Sequence, residues 1–213
     1  MSTFVLRYFP IKWRAEVVRF LLLASDASFT EEKPAWPEAR AQQPVGQLPV
    51  LVERDAGDGT EFLLSDSVAI ERYLADKYGW LATGGARVTA RECQLRNQIE
   101  DLYHLMIVHI YGHEAGRPDV QARFDRMARG FVEYHEGVLA ENGSNGHYFG
   151  GSLTWMDVAL YTLLLLVRRP YERQIPGVAG YFGEDKAPGL NKVFETVHGD
   201  PLSAGYRATL VES

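Results

Sequence analysis

The sequence predicts an α/β domain followed by an all-helical domain, and three observations predict it. Strand-like and helix-like periodicities alternate over the first 80 residues, a glycine-bearing stretch follows, and beyond it the strand signals stop. The expected bounds are 1–80 for the first domain, 81–86 for a linker and 87–213 for the second. At 213 residues the chain is long enough for two modest domains.

In the first domain "TFVLRYF" (3–9) reads as a strand. "RAEVVRFLLLASDA" follows, with Val17, Phe20, Leu21 and Ala24 at i, i+3, i+4 and i+7, an amphipathic helix. "FTEEK" reads as a second strand and completes a βαβ unit. After the proline-flanked "PAWPEARAQQP" come "QLPVLVE" and "EFLLS", joined by a polar gap containing Asp-Gly, a hairpin signal. "DSVAIERYLADKYG" is a helix stopped by Gly79. The order β-α-β, then β-β-α, is satisfied by a four-stranded mixed sheet with helices packed on it, the plan of a thioredoxin-like domain.

Beyond "WLATGGARV", the stretches "TARECQLRNQIEDLYHLMIVHIY" and "PDVQARFDRMARGFVEYHEGVLAEN" read as long helices. "TWMDVALYTLLLLVRR" is apolar nearly all round and should be the central buried helix; Thr154 and Asp157 have the spacing of a capping box. "PGLNKVFETVHG" reads as a last helix, opened by proline and closed by glycine.

Composition narrows the function. The net charge of −6, with no basic block to offset it, argues against nucleic acid or an anionic membrane as partner. The single cysteine, Cys93, excludes a disulfide framework, a CxxC redox pair and a cysteine-rich zinc site. "FLLLA" is too short and too closely flanked by charges for a signal peptide, and no run approaches the ~20 apolar residues of a membrane span. The expectation is a cytoplasmic protein. "NGS" at 142–144 matches a glycosylation sequon and, in that setting, reads as a loop.

"GQLPVL" (46–51) raises the functional question. Pro49 has no N–H for a sheet ladder, yet it sits among buried-strand residues. A cis Leu48–Pro49 bond would turn the backbone N–H and C=O of Leu48 toward a groove, where they could pair with an extended peptide-like ligand. A proline that simply starts a strand is the alternative, and other residues decide between them. Tyr8 ends the first strand and Arg14 follows at the next helix. Ser67 opens a helix, where unpaired N–H groups and the dipole favour a carboxylate.

Taken together, "YFPxxxR", "WPEAR", "GQLPVL", "SDSVAIERYLADKYG", "EDL" and "LTWMDVAL" make the chain resemble a cytosolic glutathione transferase of the tyrosine-using kind. The likeness runs from about residue 3 to about residue 205 in the family's order, closest to the sigma class, with pi-like features in "YFPIKWR" and "EDLYHLMIVHIY". The resemblance implies that glutathione is a co-substrate, with no permanently bound cofactor, that a small hydrophobic electrophile is the second substrate, and that the protein is a homodimer. Tyr8 would donate its hydroxyl hydrogen to the glutathione sulfur. That is chemically needed, because a free thiol with a pKa of about 8.5 is mostly protonated near neutrality.

By the same resemblance Leu48 would pair with the cysteinyl backbone of glutathione, with Pro49 holding the bend. Trp36, Arg40 and Gln47 would hold its glycyl end, and Ser67 its γ-glutamyl carboxylate. Asp66 and, from the second subunit, Asp101 would face its ammonium. Arg14 would orient Tyr8 or bind nearby carboxylates. Phe9, Trp13, His104, Val108 and Tyr111 would line the electrophile pocket. Two positions depart from the family pattern. Asp66 stands where Gln or Glu is usual, one methylene shorter, and Val45 stands where an aromatic usually locks the dimer.

Three other readings stay open. Relatives of this kind include a glutathione-dependent isomerase of the sigma type and non-catalytic ligand-binding or lens proteins. A metal enzyme is the third, since His109 and His113 stand at i, i+4 with Glu114 beside them; against it, the HExxH order is absent and Gly112 lies between.

Overall fold

The computed structural model describes residues 2–169 and 175–211. The first four elements that matter are β1 (Thr3–Arg7), α1 (Glu16–Ala24), β2 (Phe29–Glu32) and β3 (Val50–Arg54). β4 (Glu61–Ser65) and α2 (Ser67–Tyr78) complete the β-α-β-β-β-α... order as β-α-β, then β-β-α. The strands form one sheet in the order β2-β1-β3-β4, with β1 parallel to β2 and antiparallel to β3, and β3 antiparallel to β4. The parallel pair needs a crossover, and α1 supplies it. Val5 lies opposite Val52 and Leu6 opposite Leu51, so the two faces of the sheet are apolar in alternation.

One face carries α2. The ring of Phe4 meets Tyr78 at 6.4 Å, and Glu53 accepts from Lys77 at 2.7 Å and from the Tyr73 hydroxyl. On the other face Val5, Val50 and Val52 form a small core against which Leu48 packs. Two differences from the sequence expectation appear here. The strand expected from Gln47 begins only at Val50, because Pro49 has no N–H to donate to the ladder; the Leu48–Pro49 peptide is cis. The helix expected from Arg14 begins at Glu16, which leaves Arg14 in the preceding turn. The proline-flanked stretch after β2 forms two 3-10 turns, Glu38–Gln42 and Pro44–Gly46.

The compact unit built on this sheet comprises residues 1–81 together with 200–213; residues 82–199 form the second unit. The expected bound of 87–213 is therefore corrected at its C-terminal end. "PGLNKVFETVHG" is also not the last helix. A further helix, numbered α7 below, covers Ala204–Val211 and packs on α1, where the Tyr206 ring lies tilted against Phe20 with centroids 5.2 Å apart and its hydroxyl donates to Glu16 at 2.6 Å.

The second unit contains α3 (Ala86–Tyr111), α4 (Arg117–Glu141), α5 (Trp155–Arg168) and α6 (Pro188–Gly199), and α7 follows them in the chain. α5 is buried nearly all round, as its apolar sequence requires, and packs against α3 and α6. Its start is the expected capping box: Asp157 accepts from the backbone N–H of Thr154 at 2.7 Å and from the Thr154 hydroxyl at 2.8 Å. The same carboxylate accepts from Tyr148 N–H at 2.8 Å, which ties the preceding loop to the helix. Glu136 on α4 caps α6, accepting from Gly189 and Leu190 N–H at 2.9 and 2.8 Å. Gly112 caps the C-terminus of α3, and a Cβ there would lie 2.2 Å from the carbonyl oxygen of Val108; the close approach admits only glycine. No helix among the described residues is long and apolar enough to cross a membrane.

Candidate active site

Strand register gathers half of the expected site at one end of the sheet. Arg7, the last residue of β1, pairs with Val50, the first of β3, and Val50 pairs with Ser65, the last of β4. Tyr8, Pro49 and Asp66, each one residue beyond those pairs, therefore leave the sheet together. Loops at strand ends have no ladder to satisfy, which is why their polar groups can serve a ligand instead.

Tyr8 is 3% exposed, and its hydroxyl oxygen accepts the backbone N–H of Arg14 at 3.2 Å. Burial pushes the phenol up to about 12, against the lowering effect of that N–H and of the Arg14 and Arg19 guanidiniums. The phenol thus stays protonated at any physiological pH. With its oxygen engaged by the chain, its own hydrogen is what it has to donate. Phe9 stands beside it with ring centroids 5.5 Å apart, and Trp36 meets Phe9 edge-on at 5.3 Å. Trp13, like Phe9 and Trp36, is half-buried.

Arg40 is exposed, and its Nε donates to the Gly46 carbonyl at 3.3 Å, linking the two 3-10 turns. Gln47 is exposed in extended backbone, Leu48 is half-buried and Pro49 is buried. Between Arg40 and Gln47, Val45 has φ 47° and is 82% exposed, an uncommon conformation for a β-branched residue. Asp66 has φ 79° and is the N-cap of α2, accepting from Ala69 N–H at 3.0 Å. Ser67 is the first residue of that helix and is 4% exposed.

In the second unit, Asp101, His104, Val108 and Tyr111 lie at i, i+3, i+7 and i+10 on α3, opposite the buried stripe of Leu102, Leu105, Met106 and His109. Asp101 and His104 are exposed, Val108 is half-buried and Tyr111 is 77% exposed.

The model of the "Glutathione S-transferase, C-terminal domain" matches residues 100–209. "Probable glutathione S-transferase 6" of Caenorhabditis elegans is 34% identical over 169 residues, covering 75% of this chain and 78% of the relative. The chain belongs to the glutathione S-transferase family. A second relative within that family likeness is "S-crystallin SL11" of Nototodarus sloanii, 26% identical over 168 residues, with 77% of this chain and 80% of the relative covered. Among solved structures, the Nu-class GST from Haemonchus contortus superposes with a TM-score of 0.75 at 25% identity, covering 98% of this chain and 97% of that one.

For a glutathione S-transferase the i, i+4 histidine pair acquires a simple reading. α3 ends at Tyr111, so His113 lies outside the helix with its Nδ1 accepting from Ala115 N–H at 3.4 Å. His109 is buried, and burial together with Arg117 lowers its pKa and favours the neutral ring. Among the described residues no three of His, Cys, Asp and Glu gather closely enough to hold a metal ion.

Sequence reasoning missed two residues at this site. Arg19 is 7% exposed, and its guanidinium lies 5.6 Å from the centroid of the Tyr8 ring. Glu16, 5% exposed, pairs with it. The signal was present, since a Glu and an Arg at i, i+3 interrupt the apolar face of α1.

Proposed function

We propose that this glutathione S-transferase holds glutathione at the sheet end and stabilises its thiolate through a hydrogen bond from Tyr8, for attack on a small hydrophobic electrophile. The observation that carries the reading is the state of the Tyr8 hydroxyl. It is buried, protonated, fixed by the Arg14 N–H and hydrogen-bearing, at the point where β1, β3 and β4 release their loops. A phenol in that state cannot serve as a base, but it can donate to a developing or resident thiolate and so lower the thiol's pKa.

Glutathione would lie along Gln47, Leu48 and Pro49 by backbone pairing, with its glycyl end toward Trp36 and Arg40. Its γ-glutamyl carboxylate would sit at the N-terminus of α2, where Ser67 and the helix dipole favour an anion. Asp66 would face the ammonium, joined by Asp101 of a second subunit in a two-fold dimer. Phe9, Trp13, His104, Val108 and Tyr111 would contact the electrophile. No permanently bound cofactor has a part in this chemistry. A cytoplasmic setting would supply the co-substrate, since glutathione keeps thiols reduced there.

The likeness to an S-crystallin favours a second reading, a protein that retains the fold without turnover. Conjugation of glutathione to a simple aryl halide by the purified protein separates the two. Turnover that Tyr8→Phe reduces at neutral pH supports the first reading; binding of glutathione without turnover supports the second.

A further inference from the structure

Arg19 of α1 spends its whole hydrogen-bonding capacity on the turn that carries Tyr8 and on two carboxylates. Its Nε and Nη2 donate to Glu31 Oε1 and Oε2, both at 2.9 Å, a two-pronged pair across to β2. Nη1 donates to the Ile11 carbonyl at 3.1 Å and to Glu16, and Nη2 reaches the Phe9 carbonyl at 3.4 Å. Glu16 is itself braced from the C-terminal helix by the Tyr206 hydroxyl at 2.6 Å, and the Lys12 ammonium stands 3.8 Å from it.

Residues 8–15 belong to no helix or strand, so no ladder holds their shape. Burying a guanidinium works against its charge, and here the two carboxylates more than offset that cost, so the side chain stays cationic. A buried ion network of this kind is a poor source of stability compared with apolar packing, but it defines one geometry. The geometry it defines is that of the turn whose next N–H, from Arg14, lies on Tyr8 Oη.

We infer that Arg19 is a positioning residue for Tyr8. It holds the 9–11 carbonyls so that the Arg14 N–H engages the phenol oxygen, and it places a cation against the phenol ring that strengthens its hydroxyl as a donor. The charged groups facing that hydroxyl are Arg14 and Arg19, which favour donation, and Glu16, which opposes it. The inference rests on the reading of Tyr8 as donor to the glutathione sulfur.

The test measures the apparent pKa of enzyme-bound glutathione thiol, by ultraviolet thiolate absorbance, and kcat/KM against pH for an aryl halide. Arg19→Met should raise the bound thiol's pKa by about one unit and lower kcat/KM by about tenfold at pH well below both pKa values, and by about threefold near the midpoint. The gap should close as pH rises, and glutathione affinity should stay within about twofold, because Arg19 makes none of the proposed ligand contacts. Arg19→Lys keeps the charge but not the fork and should fall between the two. In a Tyr8→Phe background Arg19→Met should cost nothing further, since both changes remove the same donor. An equal loss at every pH, or an undiminished loss in the Tyr8→Phe background, overturns the inference and leaves Arg19 purely structural. If Arg19→Met does not fold, Arg19→Lys decides, and a profile superimposable on wild type overturns it. Should Tyr8→Phe alone leave the bound thiol's pKa unchanged, the donor reading fails first and the inference falls with it.

Discussion

The carboxylate of Asp66 accepts the backbone N–H of Ala69 at 3.0 Å while its own backbone stands at φ 79°, ψ 122°. One side chain thus caps α2 and is also the candidate partner of the glutathione ammonium. As a ligand contact it would have a reach one methylene shorter than the Gln or Glu that the family resemblance expects there. Oδ1 is taken by the cap, so the proposed ligand contact would fall to Oδ2.

Asp66→Asn separates the two duties. Asn caps helices as well as Asp and tolerates a positive φ, so urea unfolding should shift by no more than about 0.5 kcal/mol. Glutathione affinity, read by titration calorimetry, should fall about three- to tenfold as the charge-assisted contact is lost. Asp66→Ala should lose affinity similarly and destabilise by about 1 kcal/mol as well. Unchanged affinity in Asp66→Asn would remove Asp66 from the binding site and leave it a cap.

Tyr8→Phe retains the ring that packs against Phe9 and deletes one hydroxyl. Wild-type turnover should rise with pH through the bound thiol's lowered pKa, because only the thiolate attacks. In the variant that midpoint should move up toward the free thiol value of about 8.5, each unit being worth about 1.36 kcal/mol. The defect should therefore be greatest near neutrality and shrink at alkaline pH. A pH-independent defect would falsify the donor role.

His135 predicts how the helical unit responds to acid. It is fully buried, stacked on Phe131 at 3.7 Å, with Nδ1 2.5 Å from the Tyr148 hydroxyl and Nε2 3.0 Å from Gln98 Oε1. The amide oxygen can only accept, so Nε2 carries the proton and Nδ1 accepts from Tyr148. Burial lowers the ring's pKa to about 3. Between that value and the unfolded value of about 6.5 the unfolded chain binds the extra proton, so stability falls as pH is lowered through this window. The slope from this one group is at most about 1.36 kcal/mol per pH unit. Urea midpoints from pH 7 to pH 4 should decline with that component, and His135→Gln should lack it while being less stable at pH 7. An identical pH slope in the variant would assign the acid sensitivity elsewhere.

Asp157 is fully buried and takes three hydrogen bonds, from Thr154 N–H, the Thr154 hydroxyl and Tyr148 N–H. Asp157→Ala should destabilise the protein by on the order of 2–4 kcal/mol, because backbone donors are left unsatisfied out of water. Asp157→Asn retains an acceptor and should cost less. Equal thermal midpoints for wild type and Asp157→Ala would contradict this account.

Wherever one segment's own pattern decides its state, the sequence was legible. α6 runs from Pro188 to Gly199 as "PGLNKVFETVHG" indicated, since proline suits a first turn and glycine ends a helix. The capping box of α5 was readable from Thr154 and Asp157, whose partners lie three residues apart. At the site, Tyr8, Pro49 and Ser67 could be picked out because each sits at an element end, where residue type and position together carry meaning. Asp66 as the cap, one residue before the helix start that the pattern shows, was not.

The sequence alone determined the four strands, the helices α1 to α6, their order and a family resemblance, because hydrophobic period, caps and turn residues act over a few residues. The tertiary structure alone decided that residues 200–211 return to the sheet-bearing unit, that Tyr206 reaches Glu16 across 190 residues of chain, and that Arg19 turns inward onto the Tyr8 turn. It also decided that Val45 adopts a left-handed backbone, which no local preference of valine would select. For Glu16 and Arg19 the reason is physical: a buried charge is unfavourable on its own, and its partners Glu31 and Tyr206 come from other elements of the chain.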